Sequence, residues 1–339
     1  MTPLLQVRNL HATFLTARGP VTAVNSVSLD LDSGQTLAIV GESGSGKTVL
    51  ARAIMGLDLG KPGRIDSGEV WLDGLDMRSL PPAQLRGVWG RRVSMVFQDP
   101  MTALNPVLTI GRQLTEHLVY RGTISRRQAE EVAIDLLRRV GVPDPARRRR
   151  QYPHELSGGL RQRVVIALAI AGQPQLLLAD EPTTALDVTV QAQILNLLAD
   201  AQQELGMAMI LVSHDLGVVR GRADQVAVMY AGRIVERAPA RRIFSTPRMP
   251  YTEALLRARP DPARPIHSRL EVIPGGTPDL ATRGLGCPFA PRCSYAQDRC
   301  RVEAPALTRD ESGSEYACWF PVPEDKPLPE NLIRQRGVS

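Results

Sequence analysis

Apolar and polar positions alternate through residues 4–40, broken by turn signals at Gly19-Pro20 and Ser33-Gly34, which predicts two or three strands. The last of these, Thr36-Leu-Ala-Ile-Val40, is apolar without alternation, the mark of a strand buried on both faces. Val49-Leu-Ala-Arg-Ala-Ile-Met-Gly56 follows as a helix closed by glycine, and strands are predicted at Ser67–Leu72 and Val93–Phe97. From about residue 107 to 172 the period turns helical. Ser125-Arg-Arg-Gln128 has the spacing of a capping box that opens an amphipathic helix to Val140, and a second helix covers Leu160–Ala171. Strands return at Gln175–Glu181, Met207–Val212, Gln225–Tyr230 and Arg233–Glu236, with a helix over roughly 189–205 between the first two. Strands alternating with helices predict an α/β fold with a mostly parallel sheet covered on both faces. The early strands form a smaller antiparallel layer, and residues 99–172 form a helical subdomain. Beyond residue 240 prolines crowd the chain, so a boundary is expected there: a main domain over 1–240 and an extension of short elements over 241–339.

Composition changes this picture little. Apolar content of 43% and charged content of 22% are those of a globular chain, long enough for one large or two modest domains. The net charge of +6 comes largely from Arg126-Arg127, Arg147–Arg150 and Arg241-Arg242. Such runs are usually solvated faces; on charge alone they leave nucleic acid or anionic lipid headgroups open as partners. No signal peptide is expected at the N-terminus, and the longest apolar run, Val164–Ala171, is too short to span a bilayer, which predicts a cytosolic protein that can dock on a membrane component.

The first chemistry lies in Gly41-Glu-Ser-Gly-Ser-Gly-Lys47-Thr48, which fits G-x-x-x-x-G-K-[ST] between a predicted strand and a predicted helix. Gly41, Gly44 and Gly46 let the backbone fold tightly, so that the N–H groups of the loop, Ser43 and Ser45 included, can cradle phosphate oxygens. The helix N-terminus adds partial positive charge, Lys47 adds a full one, and the Thr48 hydroxyl can ligate Mg²⁺. A nucleoside triphosphate, ATP with Mg²⁺, is the expected ligand.

Asp180 and Glu181 end a strand of four apolar residues. Asp180 is placed to hold Mg²⁺ through its water shell, and Glu181 to act as general base on a water in line with the γ-phosphate. His214 ends another strand and reads as a γ-phosphate sensor. Gln98, also at a strand end, can reach Mg²⁺ or the attacking water. Leu156-Ser-Gly-Gly159 opens a helix, with Ser157 as cap and Gly158 and Gly159 exposing backbone N–H groups, a second anion site in one chain. A generic nucleotidase needs only one; the second implies a γ-phosphate held by another subunit.

The order of these motifs, completed by Ala185-Leu186-Asp187, resembles the nucleotide-binding domain of ABC ATPases over residues 4 to about 240. The resemblance implies head-to-tail pairing, with ATP between one phosphate loop and the partner's Ser-Gly-Gly, Asp187 lining the interface, His214 as linchpin and Phe14 stacking on the base. Leu160 departs from the glutamine usual in that signature. Thr246–Thr252, Ile273–Gly276 and Gly286–Cys293 are similar to the C-terminal extension of dipeptide and oligopeptide importer ATPases, as is Phe97–Pro106. That implies an ATP-hydrolysing subunit on the cytoplasmic face of the cell membrane. Its partners would be two membrane permease subunits, an extracytoplasmic solute-binding protein and a second, different ATPase subunit. An importer ATPase for another solute, such as nickel chelates, or a soluble ABC ATPase acting on nucleic acid or ribosomes are the alternatives. The single phosphate loop and the absence of sustained heptads weigh against the soluble one, and no nucleic acid is expected as a partner.

All four cysteines, Cys287, Cys293, Cys300 and Cys318, fall in the extension. Their spacing, C-x₅-C-x₆-C-x₁₇-C, does not match the paired knuckles of common zinc sites, and a cytosolic setting disfavours disulfides. A [4Fe–4S] cluster, which the resemblance also implies, zinc, and four unligated thiols all remain open.

Overall fold

A computed structural model describes residues 2–57, 59–184, 186–258, 272–281 and 284–326. Two compact units emerge from the contacts, one of Met1–Leu4, Asp32–Gln35 and Ser79–Ile210, the other of Leu5–Leu31, Thr36–Arg78 and Leu211–Ser339.

In the second unit the early strands form the expected antiparallel layer. Four strands lie in the order Gly19–Leu31, Leu5–Thr16, Gly63–Leu72 and Leu75–Asp76, with Leu5 opposite Leu31 on one side and Leu72 on the other. Leu5, Val7, Leu10 and Ala12 are all fully buried, a series that breaks strict alternation after Val7. One extra residue is absorbed there: Asn9 takes a φ of 45° and the register shifts between Val7 and Leu10. This bulge returns Leu10 to the face that Leu5 and Val7 occupy.

Thr36–Val40 is buried at every position and pairs in parallel with Gln225–Tyr230, whose other edge carries Arg233–Pro239 in antiparallel. Two strands of the extension continue this layer, Glu315–Tyr316 against Arg233–Pro239 and Thr308–Arg309 against Glu315–Tyr316. Neither is foreseen from periodicity, because two residues carry no period.

Glu236, on Arg233–Pro239, is only 1% exposed, and its carboxylate accepts N–H bonds from Arg248 (2.6 Å) and Met249 (3.1 Å), which anchors the chain entering the helix Pro250–Arg257. Burial outweighs those donors and pushes its pKa up to about 7. The folded chain therefore holds this proton more tightly than the unfolded one. The resulting stability is complete below the unfolded value of 4.5 and is lost as pH rises through about 7. Between pH 5 and 8 the wild type should lose about 2–3 kcal/mol relative to Glu236→Gln, at about 1.4 kcal/mol per pKa unit. Urea titrations of both proteins at the two pH values check this; parallel profiles would discard it.

In the first unit Val93–Val96 and Leu176–Asp180 pair in parallel, Val93 opposite Leu176. The predicted helices appear as Ile110–Tyr120, Ala129–Arg139, Gly158–Ile170 and Val188–Leu205. Gly158–Ile170 touches the other three, as well as Pro100–Ala103 and Val93–Val96. Val164, Val165, Ile166, Ala167, Ala169 and Ile170 are all buried, so the apolar run in the sequence is a core helix, apolar on all sides. Among the described residues no helix is long and apolar enough to cross a membrane.

Two expectations change. The capping box forms, with Ser125 N–H donating to Gln128 Oε1 (2.9 Å) and Gln128 N–H to Ser125 Oγ (3.3 Å), but it closes a turn, and the helix begins only at Ala129. The arginine run 147–150 is not a uniformly solvated face: Arg149, with its side chain 15% exposed, pairs with Glu130, and Arg148 donates to Gln151 Oε1 (2.9 Å).

Candidate functional site

In the second unit the phosphate loop runs from the buried strand Thr36–Val40 into the helix Lys47–Ile54. The approach is close enough to demand glycine at two places. A Cβ on Gly41 would strike the Met229 carbonyl oxygen, and one on Gly46 the Ala23 carbonyl oxygen. Gly46 also takes a φ of 101° as it caps the helix. Lys47 is 4% exposed, and its ammonium donates to the carbonyl oxygens of Gly41 (2.8 Å) and Glu42 (3.0 Å), bracing the loop from inside. Ser45 is 5% exposed and its Oγ is buried without a hydrogen-bond partner. A buried hydroxyl left unsatisfied beside a buried cation is what a loop built to receive phosphate oxygens presents. Ser43 and Gly44 are exposed, and Thr48 is half-buried in the first turn of the helix.

His214 and Phe14 belong to the same unit. His214 is exposed just after the strand Ala208–Ser213. Next to it Ser213 Oγ accepts from the Asp215 N–H (3.0 Å), and Asp215 caps the short helix Leu216–Val219 (2.6 Å). Phe14 is half-buried, paired across the sheet with Val21 and Gly63, and its ring edge occupies the space a side chain at Gly63 would take. An aromatic covering a strand glycine accounts for this position within the sheet itself.

The first unit brings together Gln98, Glu181 and Thr184. Gln98 Nε2 (3.1 Å) and Thr184 Oγ1 (3.0 Å) both donate to Glu181 Oε2, which fixes the carboxylate's orientation. Glu181 has a φ of 45°, a left-handed backbone that costs a non-glycine residue roughly 1–3 kcal/mol and persists only where its surroundings enforce it. Asp180, one residue earlier at the end of Leu176–Asp180, is 2% exposed. Thr184 escapes the sequence reading; its signal is a hydroxyl three residues after the predicted base.

Ser157 caps the helix Gly158–Ile170, its Oγ accepting from Leu160 N–H (3.4 Å), with Ser157 and Gly158 exposed. Gly159 lies where a Cβ would come within 3.2 Å of Val190 Cγ1, and Leu160 is half-buried. Asp187 caps Val188–Leu205, its Oδ1 accepting from Val190 N–H (2.9 Å). Ala185 lies outside the described residues.

Cys287 and Cys300 are joined through their backbones, N–H to carbonyl at 2.7 Å, but among the described residues no three or more His, Cys, Asp or Glu side chains stand at metal-holding spacing. Burial, with neighbouring thiols adding to it, raises Cys287 and Cys293 above the ordinary range and pushes Cys318 up to about 12. The backbone turns tightly at two of them, where Ala290 N–H donates to the Cys287 carbonyl oxygen (3.0 Å) and Ala296 N–H to the Cys293 carbonyl oxygen (3.3 Å).

Comparison with known proteins adds three findings. A family profile described as ABC transporter matches residues 24–184, and one described as the C-terminal region of oligopeptide/dipeptide transporters matches residues 235–300. The chain is 50% identical to the oligopeptide transport ATP-binding protein OppD of Bacillus subtilis, over 96% of this chain and 90% of that one. It is 47% identical to the dipeptide transport ATP-binding protein DppD of Escherichia coli, over 94% and 97%. Among solved structures it resembles a dimeric ATP-binding cassette in a post-hydrolysis state bound to ADP and Pi, with a TM-score of 0.63 and 28% identity, over 70% of this chain and 98% of that one.

Proposed function

Because the chain belongs to the ABC transporter family and carries the C-terminal region of its oligopeptide/dipeptide transporters, we propose that it energises uptake of di- and oligopeptides through separate membrane subunits. It is an α/β ATPase of the ATP-binding cassette type. The observation that carries the reading is the phosphate loop, with Lys47 buried and the Ser45 hydroxyl buried and unsatisfied.

In our assignment Gly41, Ser43, Gly44, Ser45, Gly46, Lys47 and Thr48 bind the triphosphate of ATP. Thr48, Gln98 and Asp180 are the oxygen donors that would hold Mg²⁺, a donor set that suits a hard cation. When bound, Mg²⁺ neutralises charge on the phosphate oxygens. Glu181, held by Gln98 and Thr184, orients the attacking water and takes its proton, and His214 senses the γ-phosphate. Ser157, Gly158 and Gly159 serve the nucleotide of a second, different ATPase subunit paired head to tail, with Asp187 at that interface. Phe14 is kept as the base-stacking aromatic.

The ATPase domain over 1–240 and the extension over 241–339 are assigned as separate functional parts. Residues 97–107 expose Phe97 (41%), Met101 (60%) and Val107 (75%), apolar side chains suited to contact with a membrane subunit on the cytoplasmic face of the membrane. The [4Fe–4S] assignment for Cys287, Cys293, Cys300 and Cys318 rests on the resemblance alone, since among the described residues their side chains do not stand at metal-holding spacing.

One preparation tests the assembly. The chain should co-purify in detergent with two permeases and a second ATPase subunit, and peptide-loaded binding protein should stimulate its ATP hydrolysis. Stimulation by a nickel-chelate carrier instead, or co-purification with nucleic acid alone, would overturn peptide import. The same complex prepared anaerobically should carry about four irons and four sulfides per chain; no iron would end the cluster assignment.

A further inference from the structure

Glu42 occupies an unspecified position of the phosphate-loop pattern, yet three of its polar groups are engaged. Its carbonyl oxygen accepts from Lys47 Nζ (3.0 Å), its N–H donates to the Tyr251 hydroxyl (3.0 Å), and its carboxylate forms a bidentate pair with Arg292. Arg292 Nη1 meets Oε2 at 2.7 Å and Nη2 meets Oε1 at 2.9 Å. The remaining reach of this guanidinium is used as well, Nε donating to the Pro274 carbonyl (2.8 Å) and Nη1 to the Tyr230 hydroxyl (3.4 Å). The pair is enclosed, with side chains 7% and 21% exposed. Arg292 lies between Pro291 and Cys293, in the extension, 250 residues from its partner.

An aromatic cluster supports the contact from below. Tyr230 ends the strand that lies beside the phosphate-loop strand, Tyr251 comes from the helix Pro250–Arg257, and Phe289 from the cysteine segment. Their ring centroids lie 4.5–5.4 Å apart and each residue is at most 2% exposed. Apolar packing of this kind suffices to hold the extension in place. A buried ion pair added to it is costly to desolvate and is weak as a mere fastener. Its chemistry makes sense in relation to the loop: an ionised carboxylate on the residue whose carbonyl braces Lys47 would repel the phosphates that Lys47 has to meet, and Arg292 cancels that charge.

We propose that Arg292 is a positioning residue for nucleotide binding: it neutralises Glu42, so that docking of the C-terminal extension sets the affinity of the phosphate loop for ATP. The proposal rests on the ATPase reading above. Truncating or loosening the cysteine segment then weakens ATP binding without touching any group that contacts the reacting phosphate.

The test uses the full chain with MgATP. Arg292→Ala should raise the KM for ATP about ten-fold with kcat within about two-fold of wild type, since the group lost acts on binding. Arg292→Lys, which keeps the charge but not the fork, should recover part of that loss. The deciding variant is Arg292→Ala combined with Glu42→Gln, which removes both charges and should return KM to within about two-fold of wild type. An unchanged KM in Arg292→Ala overturns the proposal. So does a double variant as impaired or as unfolded as Arg292→Ala, which would make the pair a fastener only. A wild-type chain that neither binds nor hydrolyses ATP would overturn the ATPase reading, and the proposal with it.

Discussion

Replacing Glu181 by glutamine should lower ATP turnover by about 10²–10⁴-fold while ATP binding persists. Glutamine has nearly the shape of the residue it replaces, and its amide oxygen can accept the same two donors, Gln98 Nε2 and Thr184 Oγ1, that now meet Glu181 Oε2. What disappears is basicity. The left-handed backbone at this position is neither relieved nor worsened, since both side chains bear it equally. The variant should therefore fold, bind ATP and, mixed with the second ATPase subunit proposed above, accumulate as an ATP-loaded closed dimer, visible as a larger species on a sizing column. Phosphate release at the wild-type rate would remove Glu181 from the chemistry.

The second large effect belongs to Lys47. Its ammonium, 4% exposed, ties the carbonyls of Gly41 and Glu42 together and is the one full positive charge within the phosphate-loop pattern. Lys47→Ala should weaken ATP binding by about 10²–10³-fold, within the range of about 2–5 kcal/mol lost when one partner of a buried charged hydrogen-bonded pair is truncated, and bring hydrolysis below detection. Lys47→Arg should not restore it, because a planar five-donor fork does not fit a space sized for a compact ammonium between two carbonyls. Calorimetric titration with ATP decides between these outcomes, and binding within about three-fold of wild type in Lys47→Ala would sink the assignment. This variant differs in kind from Arg292→Ala, which should preserve turnover at saturating ATP.

The parts of this chain that were legible in its sequence are those where one local pattern determines the outcome. Thr36–Val40 and Leu176–Asp180 are apolar at nearly every position and became strands within a residue or two of the expected ends. Ser157 caps its helix because a short oxygen-bearing side chain three residues before a backbone N–H needs no tertiary help. The capping box at Ser125 shows the limit: its hydrogen bonds formed, yet the helix waited until Ala129. Hydrophobic alternation in Leu5–Ala12 points to a strand but does not place the bulge at Asn9, which depends on both neighbouring strands. Most hidden of all is Arg292 with Glu42. Each is an ordinary charged residue in its own neighbourhood, and nothing short of the fold relates two positions so far apart.

The helix Gly158–Ile170 begins at the exposed Ser157 and ends in the core of its unit, about 20 Å away at 1.5 Å per residue. Because it is packed along its sides against four other helices and a strand, it has little freedom to roll or bend. A phosphate drawn against its first turn would thus displace it as a stiff rod, handing a short push at Ser157 to the packed helices as a movement of similar size rather than dissipating it locally.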